Sequence, residues 1–314
     1  AGIDSVAAGN IGTALSDLVH DGETHEVVVI EASSFQLRFT ETLAPEVAVV
    51  LNVEADHLDW HGSVEAYAAA KARLVERQRP DDLVVHNADD ATATAIAERS
   101  AARRLPVSGR MLPEGGAGRD GADLVVGPVR IPIAELQVAD AAYLLDLAAA
   151  GVAALEMGAD PESVAATIRA FHPGRHRRQE VAAAGGVRWV DDSKATNPHA
   201  AVAAIAGYDR VVLIAGGRNK GLELAPIVAM PQLTAVLAIG EAAADLADLA
   251  PDLVEDCGTL ELAVARAAEI ATPGDTVLLA PGCASFDQFP SYAARGDAFA
   301  AAVVGVVMGE EAAV

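Results

Sequence analysis

Seven consecutive residues, Asp191-Asp192-Ser193-Lys194-Ala195-Thr196-Asn197, bring two carboxylates, an ammonium, two hydroxyls and an amide into one short stretch. An apolar run, 187–190, precedes them, and an Ala- and Val-rich helical segment begins at about Asn197. In open α/β sheets, ligands bind beyond the carboxyl ends of strands. A loop that merely joins a strand to a helix needs one capping residue and a short connection. This one carries far more polar functionality than capping requires, so polar chemistry is expected here.

Five further clusters follow the same placement. Glu31-Ala32-Ser33-Ser34-Phe35-Gln36 stands directly after a run ending at Ile30. A carboxylate followed by hydroxyls suits a hard cation such as Mg²⁺, and equally a surface loop whose serine caps a helix. Asn52-Val53-Glu54-Ala55-Asp56-His57-Leu58-Asp59 sets His57 among acids, as a metal ligand or as an ion-pair partner. In the helical segment behind it, Tyr67 and Lys71 stand one turn apart on one face. A lysine among alanines is a candidate for a lowered pKa, and a neutral amine can capture CO₂ as a carbamate; the ordinary alternative is a lysine that snorkels. Arg175-His176-Arg177-Arg178 offers guanidinium forks suited to phosphate. Gly216-Gly217-Arg218-Asn219-Lys220-Gly221 lets backbone N–H groups approach an anion, with Lys220 adding charge, but lacks the GxGxxG spacing of a dinucleotide site. Ala280-Pro281-Gly282-Cys283-Ala284-Ser285-Phe286-Asp287-Gln288-Phe289 is a tight loop whose Ser285 and backbone amides suit a carboxylate. No His lies near Cys283 in sequence, which argues against a nucleophilic thiol.

The elements that must carry these clusters are legible as alternation. Apolar runs of strand length recur at 26–30, 47–51, 83–85, 187–190, 210–215, 233–239 and 276–280. Ala- and Leu-rich stretches of helical length lie at 63–77, 141–157, 161–171 and 260–270. The pattern predicts an α/β fold with mostly parallel sheets flanked by helices. Residues 179–190, with Gly185-Gly186 in their middle, read as a hairpin. The stretch 108–127, rich in Gly, Pro and charge, predicts irregular strands, and 298–309 reads as a buried terminal helix too short to span a membrane. His172-Pro173-Gly174 closes a helix with breaker residues and divides the chain into domains 1–172 and 173–314.

Bulk composition limits the function classes. The chain has 314 residues, 52% hydrophobic and 21% charged, enough for two full cores. A net charge of −23 argues against nucleic acid and anionic membrane as partners. It also means that a phosphate-bearing substrate approaches a like-charged protein. Eight of the 22 Lys and Arg residues lie between Arg175 and Lys220, as a local anion site or a solvated basic face. Two cysteines without metal spacing point to a reduced, cytoplasmic protein. Neither a signal-peptide pattern nor an internal repeat is present.

In this order, from about Asn10 onward, the segments resemble the muramyl ligase family, and within it the branch that adds D-glutamate. The motifs that carry the resemblance are Asp192-Ser193-Lys194-Ala195-Thr196-Asn197 and Cys283-Ala284-Ser285-Phe286-Asp287-Gln288-Phe289. The second is typical of the D-glutamate branch, whereas the Asp-Asn-Pro-Arg motif of the diaminopimelate- or lysine-adding branch does not occur in the chain. The resemblance implies a central ATPase-type domain over 1–172, truncated at its start, and a Rossmann-like C-terminal domain for amino acid and ATP over 173–314. It implies a cytoplasmic, monomeric ligase of peptidoglycan precursor synthesis. ATP would phosphorylate the carboxylate of UDP-N-acetylmuramoyl-L-alanine, and the amine of D-glutamate would attack the acyl phosphate.

Carried over by matching motif, Glu31 would bind one Mg²⁺ together with ATP phosphates, and His57 with a carbamylated Lys71 would bind a second. Arg177 and Asp192 would contact ATP. Asn10 and Ser33 would touch the muramoyl substrate. Lys194, Thr196, Lys220, Ser285, Phe286 and Tyr292 would line the D-glutamate and acyl-phosphate region, with Lys71, His57 and Lys194 as the catalytic set.

Two departures accompany the resemblance. The GxxxxGK[ST] phosphate loop occurs nowhere in the chain, nor does the family's N-terminal UDP-binding domain; both are expected upstream of Ala1. The polypeptide by itself is therefore not expected to turn over ATP. In the helical segment after Ala141, Ala142-Tyr143 and Asp146 stand where the family usually carries His-Asn and a further Asn for adenine. Two other readings stay open. One is a different acid–amino-acid ligase of the superfamily, of the folylpolyglutamate synthase kind, which the Ser285-Phe286-Asp287-Gln288 loop speaks against. The other is a non-catalytic nucleotide- or carboxylate-binding fragment.

Overall fold

Runs such as Leu83-Val84-Val85, buried on every residue, need a sheet covered on both faces. The structure, a computed structural model, describes residues 2–54 and 56–311; Ala1, Ala55 and 312–314, with the side chains of Asp59 and 308–311, lie outside that description. Contacts divide the chain into two units, Ala1–Ala55 with Trp60–His172, and Asp56–Asp59 with Pro173–Val314.

In the first unit β1 (Ser5–Gly9) and β2 (Val27–Glu31) pair in parallel as a two-stranded sheet. A six-stranded sheet follows in chain order: β3 (Val47–Val50), β4 (Leu83–Asn87), β5 (Arg103–Ser108), β6 (Ala117–Asp120), β7 (Asp123–Val126) and β8 (Val129–Pro132). Its first four strands are parallel, and β7 pairs antiparallel with both β6 and β8. Because strand residues alternate between faces, Leu83 and Val85 pack with Leu144 and Leu147 of the helix Ala141–Glu156 and with Val164 and Ile168 of Pro161–Ala170. Val84 points the other way, into a core with Tyr67 of the helix Val64–Ala72 and Ile96 of Ala91–Ala97. The helix read over 63–77 thus ends at Ala72, and turns occupy the rest.

In the second unit β9 (Gln179–Ala184), β10 (Val187–Asp191), β11 (Val211–Gly216), β12 (Leu233–Ile239), β13 (Val254–Gly258) and β14 (Thr276–Gly282) form a sheet in the spatial order β13-β12-β11-β14-β10-β9. All neighbours are parallel except β9, which is antiparallel to β10. Gly185 and Gly186 turn that hairpin at φ 57° and 78°, the left-handed pair a two-residue hairpin turn demands. Leu213, Leu278 and Ile205 fill one face of the sheet; Ile214, Leu279 and Phe299 fill the other. The terminal helix starts earlier than its apolar run, at Tyr292, and extends to Glu311. It buries Phe299 and Val303 but leaves Val304 46% exposed, so it packs by one face and is not wholly buried. Among the described residues no helix is long and apolar enough to cross a membrane.

Candidate functional site

β11, β14 and β10 are neighbours in the middle of the second sheet, and each delivers a polar loop from its carboxyl end. Backbone bonds lace these loops together. The Arg218 N–H donates to Ala284 O at 2.9 Å, the Ala284 N–H to Arg218 O at 3.1 Å, and the Gly282 N–H to Ala195 O at 2.9 Å. Gly217, at φ 119°, allows the approach, since a Cβ there would stand 2.4 Å from Ala284 O. In the β10 loop Asn197 caps the helix Pro198–Ile205, its side chain accepting from the Ala200 N–H at 2.9 Å.

Ser193 and Ser285 are buried there, while Lys194 and Thr196 are half-buried. Lys194 Nζ lies 5.4 Å from the Tyr292 ring centroid, a cation–π contact. Lys220 Nζ donates to Asp56 Oδ1 at 3.2 Å, and Asn197 Nδ2 to Asp56 Oδ2 at 3.4 Å. Asp56 belongs to the four-residue segment grouped with this unit. Phe286 is 64% exposed, whereas the Ser285 carbonyl accepts from the N–H groups of Gln288 and Phe289. Lys194, Thr196, Lys220, Ser285, Phe286 and Tyr292 therefore all fall on or against three adjoining loops. Burial pushes the Cys283 thiol up to about 12, so it is no nucleophile.

The arginine-rich segment has an unusual backbone. His176 and Arg178 take φ of 61° and 48°, a left-handed conformation uncommon outside glycine. Side-chain bonds over-determine it. The buried His176 ring places Nδ1 2.7 Å from Asp191 Oδ2, the His176 N–H donates to Gln179 Oε1, and Arg178 Nη2 donates to Ala203 O at 2.9 Å. Arg177 is left exposed. Burial pushes the Asp192 carboxyl up to about 6, against the pull of Arg178 and Arg177. A carboxyl group poised there can accept or donate a hydrogen bond to a ligand hydroxyl. Elsewhere in the basic cluster Arg210 pairs with Asp275, Arg218 with Glu241 and Arg175 with Asp297, so much of it is neutralised internally.

Two residues at this site were given no role of their own from the sequence. Asp191 belongs to the polar stretch, yet its carboxylate serves His176 and the Ser193 N–H inside the protein. Arg295 is 1% exposed in the terminal helix; its only sequence mark is a lone charge in Ala293-Ala294-Arg295-Gly296.

In the first unit Glu31 ends β2 and accepts from Asn10 Nδ2 at 2.9 Å. Ser33 caps the helix Ser34–Arg38 in a capping box with Gln36. Lys71 Nζ sits 5.1 Å from the Tyr67 ring centroid and donates to Asn52 O at 3.2 Å, at the head of the loop that contains Glu54. His57, at φ 53°, falls in the segment grouped with the second unit, its Nδ1 3.8 Å from Asp56. Tyr143, near the start of the helix Ala141–Glu156, stands against Phe171 with ring centroids 6.2 Å apart. Among the described residues no three His, Cys, Asp or Glu side chains converge tightly enough to hold a metal. The Glu31 carboxylate at the end of β2 is the kind of single oxygen ligand with which Mg²⁺ binds when phosphate and water complete its shell.

Known proteins resemble the chain along both units. Residues 8–109 match the Mur ligase middle domain, and residues 176–283 match the Mur ligase glutamate ligase domain. The UDP-N-acetylmuramoylalanine–D-glutamate ligase of Frankia casuarinae is 48% identical over 95% of this chain and 66% of its own length. The enzyme of the same name from Anaeromyxobacter dehalogenans is 44% identical over 93% of this chain and 67% of its own. The chain thus spans about two thirds of the length of the curated relatives it matches. Among solved structures, the MurF ligase of Thermotoga maritima in complex with ADP shares the fold, with a TM-score of 0.71 at 16% identity over 98% of this chain and 75% of that one.

Proposed function

This chain belongs to the Mur ligase family, and from that premise we propose that it is part of an ATP-dependent ligase that adds D-glutamate to UDP-N-acetylmuramoyl-L-alanine in peptidoglycan precursor synthesis. The observation that carries the proposal is the 48% identity to a D-glutamate ligase over nearly all of this chain. The protein would work as a cytoplasmic monomer, with neither nucleic acid nor membrane as partner. That is consistent with its net charge of −23.

The side chains support a division of labour. Arg177, exposed and flanked by two strained residues, would meet ATP phosphate oxygens, and Asp192, its carboxyl pushed up to about 6 by burial, would hold a nucleotide hydroxyl. Lys194, half-buried over Tyr292, would offset charge on the acyl-phosphate oxygens. Lys220 and Thr196, with the amides around Ser285 and the Phe286 ring, would grip the two carboxylates of D-glutamate and so aim its amine. Lys220 would exchange Asp56 for the ligand. Asn10 and Ser33 would touch the muramoyl substrate.

Glu31, His57 and Lys71 would hold two Mg²⁺, with Lys71 lengthened into a carbamate. When bound, these ions would supply positive charge to the phosphate oxygens. The test is release of phosphate by the full-length gene product given UDP-N-acetylmuramoyl-L-alanine, ATP and single amino acids. Release that depends on D-glutamate is expected. Release with another amino acid and none with D-glutamate would overturn the assignment.

A further inference from the structure

The ladder between β10 and β14 stops at the pair Asp191 and Leu279. Beyond it, the loops that follow each strand still carry backbone carbonyls that need donors. Arg295 supplies them from the terminal helix. Its Nη2 donates to Ser193 O at 2.9 Å and to Cys283 O at 3.1 Å, and its Nε donates to Ser193 Oγ at 3.0 Å. Ser193 Oγ in turn donates to Tyr292 O at 2.8 Å. Nη1 has no acceptor among the described residues and lies beside the place a Gly217 Cβ would occupy, 3.2 Å from it. One guanidinium therefore joins the β10 loop to the β14 loop and abuts the β11 loop.

A bland core role does not explain this choice. At 1% exposure the charge is expensive to bury, and an apolar side chain of similar volume would fill the space at lower cost. What an apolar side chain cannot do is serve three acceptors on two loops at once in a fixed fork. The fork is too deeply buried to touch a substrate.

We propose that Arg295 is a positioning residue for the amino-acid substrate: it holds the loop bearing Lys194 and Thr196 at a set spacing from the loop bearing Ser285 and Phe286. The substrate part rests on the ligation proposed above; the loop-fixing part does not. The experiment is hydrogen exchange on Arg295→Met and Arg295→Lys in the full-length gene product, with steady-state kinetics on the same proteins.

Arg295→Met should speed exchange at 193–196 and 283–285 about tenfold or more while β11 and β12 keep their protection. It should also raise KM for D-glutamate about tenfold, with KM for ATP within about twofold. Arg295→Lys, which keeps the charge but loses the fork, should fall between wild type and Arg295→Met. Uniform acceleration over the whole unit, or none in the two loops, would overturn the proposal. So would an unchanged KM for D-glutamate in an active variant with loosened loops. Loosened loops in a protein that never uses D-glutamate would count against the ligase assignment and leave the loop-fixing role standing. Should Arg295→Met fail to fold, Ser193→Ala removes one of the fork's three acceptors together with the bond to Tyr292 O; exchange that quickens in both the 193–196 and 283–285 loops supports the proposal, and unchanged exchange at 283–285 rejects it.

Discussion

Lys71 reaches back along its own helix face to Asn52 O and the Tyr67 ring, so its amine is held at the loop that precedes the helix. A metal-binding role for that amine requires its conversion to a carbamate, because an ammonium repels a cation. Lys71→Ala in an active protein is expected to cut turnover at least about a hundredfold, with partial recovery in added formate or acetate. Normal turnover in the variant would remove Lys71 from the site. Asp192 makes a prediction of a different kind. Its folded pKa, about 6, lies above the ordinary 3.8, so ionisation costs the folded state. The stability it contributes is full below about pH 4 and is lost as pH rises through about 6. Asp192→Asn should therefore stabilise the fold by roughly 1–3 kcal/mol at about pH 8 and by nothing below about pH 4. Denaturant melts at both pH values read this directly, and a destabilised variant at the higher pH would contradict the buried-carboxylate account.

At the level of elements, the terminal helix can approach the β9–β10 hairpin because Gly296 has no side chain. A Cβ there would stand 2.1 Å from His176 Nδ1 and 2.7 Å from Asp191 Oδ2. Gly296→Ala must push the helix away or part the His176–Asp191 pair, and about 1–3 kcal/mol of stability should go with it. A melt unchanged within error would show that the helix yields freely. The same contact explains what the sequence did and did not disclose. β12 and the helix Leu260–Ile270 were legible to the residue, because each is a continuous apolar pattern with a turn or cap at its ends. The hairpin was legible from Gly185-Gly186. β1, β5 and β13 were not: Arg103-Arg104 and Glu255-Asp256 put charges inside the strands, and edge or one-sided burial tolerates them. The polar loops announced themselves by residue type, whereas His176 meets Asp191 across 15 residues and Arg295 reaches Ser193 across 102, distances no local pattern spans.

For the molecule as a whole, the cores are separate. One pair of apolar layers belongs to 173–314, and another lies within the first 172 residues. Each can melt on its own terms, so calorimetry is expected to give an enthalpy ratio, calorimetric to van't Hoff, above about 1. A ratio of about 1 would mean that the two units unfold as one. The placement of sulfur offers a way to tell them apart. Both cysteines, Cys257 and Cys283, belong to the second unit, and burial holds the second thiol in its unreactive form. Alkylation of Cys283 can proceed only when its surroundings come apart, so the speed of that reaction clocks one half of the polypeptide while the other remains chemically silent.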